Sequence, residues 1–184
     1  MLVVSEHEQL PVQGAKSGNP EAWHVLFKRY QLPLYVYARE LVHDEQASLD
    51  IVQESFINAA RHLGGLQDNA RFGSWLFSIA HQKCIQHWRK RRPDPVPIES
   101  EEADYESGEA DPREFLIRKE QEAAFMKLLE QLPVPHRAVL LLHCVEDFSV
   151  EEIARITDAP PGTVKSRLHY ARQSLKKLIG EYPS

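Results

Sequence analysis

With 42% hydrophobic and 27% charged residues over 184 positions, the chain has the balance of a globular protein that can bury a core, which excludes wholesale disorder. No run approaches the roughly 18 apolar residues needed to cross a bilayer, and the opening "MLVVSEHEQL" lacks the basic start and long apolar centre of a signal peptide. A cytoplasmic protein without membrane insertion is therefore expected. The net charge of −5 hides a strong asymmetry: residues 93–114 hold nine acids against Arg113 alone, a local −8 that leaves +3 on the rest. Cys84 and Cys144 lie far apart in apolar or helical stretches, which gives no disulfide framework and fits a reducing compartment.

In chain order, the first clear element is "EQASLDIVQESFINAARHL" at 45–63. Val52, Phe56, Ala59 and Leu63 recur there at helical spacing as one buried stripe, with Asp50, Glu54 and Arg61 pointing away. "GGLQDNA" breaks this helix. "RFGSWLFSIAHQKCIQHWRKRR" resumes it, with Phe72, Leu76 and Ile79 on one face, until Pro93, Pro95 and Pro97 remove donors and disfavour helix before them. Its mixture of aromatic and basic residues suits single-stranded nucleic acid, since rings stack on unpaired bases and cations follow the backbone. Trp75, however, lies at helical spacing from Phe72 and Ile79 and reads as core. His81, Cys84 and His87 are not expected to hold a metal, because spacings of three and three put the outer pair about 240° apart around a helix.

Residues 93–112 are acidic, poor in large apolar side chains and rich in Pro, Ser and Gly, so they cannot bury enough surface to offset their ordering entropy. A flexible acidic linker is expected there. Periodicity returns at "EFLIRKEQEAAFMKLLEQL", where Phe115, Arg118, Glu122, Phe125, Leu128, Leu129 and Leu132 lie near one line. Pro133 and Pro135 stop that helix, and a short apolar one follows in "HRAVLLLHCVED". The fold expected is all-α: two small helical domains, 1–92 and 113–184, joined by the linker at 93–112.

The sharpest local pattern is "FSVEEIARITDAPPGTVKSRLHYARQSLKKLI". Ser149 and Glu152 form a capping box, Ile153, Ala154 and Ile156 give a short buried face, and "TDAPPG" supplies a turn with Thr163 as a hydroxyl cap for the next helix. Val164, Leu168, Ala171, Leu175 and Leu178 then share an inner stripe, while Lys165, His169, Arg172 and Lys176 fall roughly a quarter turn away. From 159 to 180 there are five cations and no acid. A basic edge beside a buried edge is what a recognition helix in a DNA major groove requires.

Taken together, "GNPEAWHVLFKRY", "DIVQESFINAA" and "RFGSWLFSIAHQKCIQHWRKRR" in the first block, and "LEQLPVPHRAVLLLHCVEDFSVEEIARITDAPPGTVKSRLHYARQSLKKL" in the second, resemble the extracytoplasmic-function (ECF) group of the bacterial sigma-70 family. The resemblance implies a transcription initiation factor that joins core RNA polymerase to promoter DNA and is held in check by an anti-sigma factor. It places core-polymerase contacts at Asp50, Gln53 and Glu54. It assigns opening of the minus-10 promoter element to Asn69, Arg71, Phe72, Trp75, His81 and Gln82, with Arg89, Lys90, Arg91 and Arg92 on the backbone. Reading of the minus-35 element falls to Thr163, Lys165, Ser166, Arg167, His169 and Arg172, with Lys176 beside them. The chain departs from the family pattern where "AHQ" replaces "ARN", and Gln86 replaces an aspartate. His143 stands where an arginine is common, and Ala60 where a tryptophan is common. A regulator binding duplex DNA through 113–180 alone is the second reading. An enzyme is the third, without a glycine-rich phosphate loop or a nucleophile-and-base motif to support it. No catalytic residue, cofactor or metal is expected.

Overall fold

The computed structural model describes residues 10–91 and 128–180. The proposed linker, Arg92, and the part of the third expected helix that carries Phe115, Arg118, Glu122 and Phe125 lie outside the described residues, as do the side chains of Arg91 and Leu178. Every regular element described is helical, and the residues fall into two compact units.

The first unit is built from α1 (Val12–Lys16), α2 (Pro20–Val42), α3 (Glu45–His62) and α4 (Phe72–Arg91). Each start has a local cause. Asn19 caps α2 by accepting from the Glu21 amide at 2.9 Å with Pro20 in the first turn, and Asp44 caps α3 by accepting from the Ala47 amide at 3.0 Å. Gly18, at φ 79°, takes the left-handed conformation between α1 and α2 that a side chain would oppose. The indole of Trp23 donates to the Ala15 carbonyl at 3.1 Å and ties α1 down.

Helices α2, α3 and α4 pack on one another around Leu26, Leu34, Tyr37, Phe72, Leu76 and Phe77, all fully buried. Burying side chains of this size contributes roughly 1.5–3 kcal/mol each, which explains why α2 runs on through Pro33, a residue that costs an interior helix about 3 kcal/mol. The α3 stripe of Val52, Phe56, Ala59 and Leu63 is buried as expected, and Ile51, Ser48 and Ser55 widen it. In α4 the inward face is Phe72, Leu76, Phe77, Ala80 and Cys84. Ile79 is only half-buried, a correction to the expected stripe: the core side of α4 is centred nearer Phe77 and Ala80 than Ile79.

In the second unit, Leu128, Leu129 and Leu132 are buried ahead of α5 (Val134–Glu146), α6 (Val150–Thr157) and α7 (Pro161–Gly180). Val139, Leu140, Leu142, Ile153, Val164 and Ala171 form its interior. Arg137, only 4% exposed, donates through Nη2 to the carbonyls of Glu130 and Leu132 at 2.8 and 2.9 Å. It thereby satisfies acceptors left open where the preceding helical residues end, a role the sequence did not suggest.

Candidate nucleic-acid interface

On α3, Asp50, Gln53 and Glu54 are all exposed, on the face away from the Val52 and Phe56 stripe. Asp50 accepts from Gln46 Nε2 at 3.1 Å, and Glu54 Oε2 accepts from Lys83 Nζ of α4 at 2.6 Å. That hydrogen bond, and then the Lys83 charge, hold the Glu54 carboxyl below the usual carboxylate range. Beside these groups stand two large apolar side chains that the sequence reading passed over, Leu49 at 47% exposure and Ile57 at 44%. Their signal was legible: positions 49, 53 and 57 recur every four residues on the side opposite the core.

The minus-10 set divides on structural grounds. Asp68 caps the short turn Asn69–Arg71 by accepting from the Ala70 amide at 3.0 Å, and it pairs with the exposed Arg71 at 3.2 Å. Asn69 donates weakly to Gln13 at 3.4 Å, while its Oδ1 is buried without a partner. Gln82, Arg89 and Lys90 are exposed along α4. Phe72 and His81 are not available at the surface, and this corrects the expectation for both. Phe72 has no exposed area and packs its ring 5.6 Å from that of Tyr30. His81, 9% exposed, has Nδ1 2.7 Å from the Tyr37 hydroxyl. Burial pushes the Tyr37 phenol well above its ordinary range, so the hydroxyl stays protonated and donates, leaving Nδ1 as acceptor. Trp75 corrects the sequence reading in the other direction. It is half-buried and lines an open depression between α3 and α4 with Asn58, His62, Gln82 and Gln86.

Cys84 is buried, and desolvation pushes its thiol up to about 12, so it carries no thiolate chemistry. Among the described residues no group of His, Cys, Asp and Glu is arranged to hold a metal ion.

In the second unit, α6 and α7 make a helix-turn-helix. The Ser149 capping box is complete, with the Ser149 amide donating to Glu152 Oε2 at 2.9 Å and the Glu152 amide donating to Ser149 Oγ at 3.3 Å. Asp158 ends α6 at φ 51°. The expected cap at Thr163 is corrected: α7 already begins at Pro161, whose fixed φ and missing N–H suit a first helical position, so Thr163 lies inside the first turn. Val164, Leu168, Ala171 and Leu175 face inward, and Lys165 and Lys176 are exposed. Ser166 is turned onto its own helix, donating to the Gly162 carbonyl at 3.0 Å. Arg167, His169 and Arg172 are half-buried against the unit. Burial holds the Arg167 guanidinium somewhat below its usual range, and burial followed by the Arg167 charge lowers His136. Arg172 Nη2 lies 3.1 Å from His143 Nε2, and His143 Nδ1 lies 3.4 Å from the Phe148 carbonyl.

An all-helical chain with a helix-turn-helix in its second unit and a polar, aromatic groove in its first defines a two-module DNA-binding class. Comparison with known proteins narrows this. The family model "Sigma-70 region 2" matches residues 26–93, and "Sigma-70, region 4" matches residues 122–175. The RNA polymerase sigma-H factor of Pseudomonas aeruginosa is 32% identical, covering 97% of this chain and 96% of the relative. The ECF RNA polymerase sigma-E factor of Escherichia coli K12 is 31% identical, covering 94% of each. Among solved structures, CnrH in complex with the cytosolic domain of CnrY superposes with a TM-score of 0.68 at 26% identity, covering 95% of this chain and 98% of that one. The sigma factor RpoE of Bartonella quintana, solved with the anti-sigma factor NepR, shares the fold at a TM-score of 0.66, covering 87% of this chain and 98% of that one. The chain belongs to the sigma-70 family, as an RNA polymerase sigma factor of the ECF group.

Proposed function

We propose that the two units divide the promoter between them. Residues 1–92 bind core RNA polymerase and open and hold the minus-10 element, residues 93–112 join the units, and residues 113–184 read the minus-35 element. The observation that carries this reading is the separation of surface chemistry. On α3, Asp50, Gln53 and Glu54 sit among exposed Leu49 and Ile57, an apolar and acidic face that suits a protein partner. On α7, Lys165 and Lys176 are exposed in a stretch without a single acid, which suits phosphate.

Within the minus-10 group, Trp75 and Gln82 form the wall of the depression that receives an unpaired base, and Asn69, Arg71, Arg89, Lys90, Arg91 and Arg92 meet the backbone around it. Phe72 and His81 support that wall from the core. In the minus-35 group, Lys165 enters the groove early, and Thr163, Ser166, Arg167, His169, Arg172 and Lys176 flank it. The protein works as a cytoplasmic specificity subunit without chemistry of its own. Of the two solved structures, one holds the cytosolic domain of CnrY and the other the anti-sigma factor NepR, which supports an anti-sigma partner for this chain. Reconstitution tests the reading: the full chain with core polymerase should direct RNA synthesis from discrete promoters, mapped by sequencing RNA 5′ ends. Lys165→Ala should lower initiation at those promoters, and Asp50→Ala should lower holoenzyme assembly. Transcription that core polymerase gives equally well without the chain would refute it.

A further inference from the structure

His143 and Arg172 form a pair that the sequence does not announce, 29 residues apart and brought together by the packing of α5 on α7. The imidazole makes two contacts. Nδ1 points at the Phe148 carbonyl, an acceptor, at 3.4 Å, so Nδ1 carries the proton. Nε2 is then left as an acceptor, and it receives Nη2 of Arg172 at 3.1 Å. The Arg172 guanidinium has no ion pair among the described residues, and its Nε is buried without a hydrogen-bond partner. A half-buried cation is thus held back along α5 by one hydrogen bond, and that bond exists only while His143 is neutral.

We infer that His143 is a positioning residue for Arg172: neutral His143 keeps the guanidinium against α5, and protonated His143 releases it toward DNA phosphate. The step balances simply. A proton from solvent occupies Nε2, the N–H···N bond from Arg172 is lost, and two like charges replace a donor and an acceptor. Arg172 then has both a reason to leave and, in duplex DNA, an anion to meet. Along the chain, the charged and titratable groups nearest the pair are Cys144 and Glu146 on α5, Asp147 in the turn after it, and His169 and Lys176 on α7. Only Arg172 lies within hydrogen-bond distance of Nε2 among the described residues.

The inference rests on the reading of α7 as the DNA-facing helix, and the test separates the two. Holoenzyme is assembled from core polymerase and full-length chain, and its affinity for a mapped promoter duplex is measured from pH 8 to pH 5.5 at two salt concentrations. The wild-type chain is compared with His143→Gln, which keeps an acceptor and has no imidazole, and with Arg172→Gln. Acidification is expected to raise wild-type affinity about three- to tenfold relative to either variant and to steepen its salt dependence by about one phosphate contact. Parallel pH profiles for the three proteins, with Lys165→Ala still weakening binding, overturn the role of His143 and leave the reading of α7 standing. Insensitivity of binding to Lys165→Ala as well overturns both.

Discussion

Lys83 Nζ stands 2.6 Å from Oε2 of Glu54, joining α4 to the outward face of α3. Because Glu54 is largely exposed, solvent screens the pair, and its loss costs the fold below about 1 kcal/mol. In the proposed core-polymerase role, its value is orientation of a carboxylate beside Leu49, Gln53 and Ile57. Glu54→Ala should therefore weaken core-polymerase binding about five- to tenfold while shifting the unfolding midpoint little. Lys83→Gln, which breaks the same bond but leaves the carboxylate in place, should weaken it less. The carboxyl is held below its usual range, so its contribution to stability is present above the unfolded value and is lost only as pH falls through the lowered one. Polymerase affinity should carry no Glu54-dependent slope between about pH 6 and pH 8. Titration of labelled chain with core enzyme measures the three affinity effects, and an unfolding curve the midpoint.

Gly73 has a packing reason to be glycine. A Cβ at that position would lie 2.7 Å from the Tyr30 hydroxyl oxygen and 3.2–3.3 Å from two ring carbons, and Tyr30 is buried against Phe72. The ring cannot step aside without disturbing that contact. Gly73→Ala should destabilise the full chain by about 1–3 kcal/mol in urea unfolding, despite alanine's better helix propensity. Adding Tyr30→Phe removes the nearest atom and should recover part of the loss.

The stripe of Val52, Phe56, Ala59 and Leu63 was legible because one helix face is enough to define it, and the Ser149 capping box because all its parts lie within four residues. The interior role of His81 was not legible, since its partner Tyr37 comes 44 residues earlier and α4 mixes aromatic, polar and basic residues on every side. Ile79 illustrates the same difficulty: several apolar choices in α4 satisfy helical spacing, and only packing against α2 and α3 selects Phe77 and Ala80. Helix α2 was obscured by Pro33, whose local cost is outweighed by burial the sequence shows only as scattered apolar residues. Trp75 looked like core because its neighbours at helical spacing are apolar, yet it lies at the rim where α3 and α4 part. The exposed faces of α3 and α7 that carry the proposed site were readable for the opposite reason: a face that does not pack is simply the complement of one that does.

His136 gives the second unit a pH-dependent stability of known sign. Burial, and then the nearby Arg167 charge, lower its protonation range in the folded state, so the unfolded chain binds more protons in the window between the lowered folded value and the ordinary value near 6.5. Stability should therefore rise with pH through that window, fall on acidification through it, and level off below the lowered folded value, where both states are protonated. Protection factors of amides in α5 and α7, compared at pH 7.5 and pH 5.5, should drop at the lower pH more than those of α2 and α4. His136→Gln should remove that difference. An equal drop in wild-type and variant would assign the effect elsewhere.

Asp158 closes α6 at φ 51°, with the Asp158 amide donating to the Ala154 carbonyl, and Ala159 N–H reaching the same oxygen at 3.0 Å. This left-handed residue turns the chain from α6 into α7, so its backbone sets the angle at which α7, the proposed recognition helix, is offered. Aspartate tolerates the conformation better than most side chains, but glycine adopts it without a Cβ conflict. Asp158→Gly should leave the unit as stable or more stable, by up to about 1 kcal/mol, and removal of a negative charge at the head of a basic helix should modestly tighten duplex binding at low salt. Asp158→Val places a β-branched side chain in the same conformation and should cost about 1–2 kcal/mol. If the turn geometry is what presents α7, Asp158→Val should also weaken minus-35 binding at every salt concentration, whereas a purely electrostatic role would make that variant bind more tightly, as is expected of Asp158→Gly. Unfolding curves and duplex titrations at two salt concentrations distinguish the outcomes.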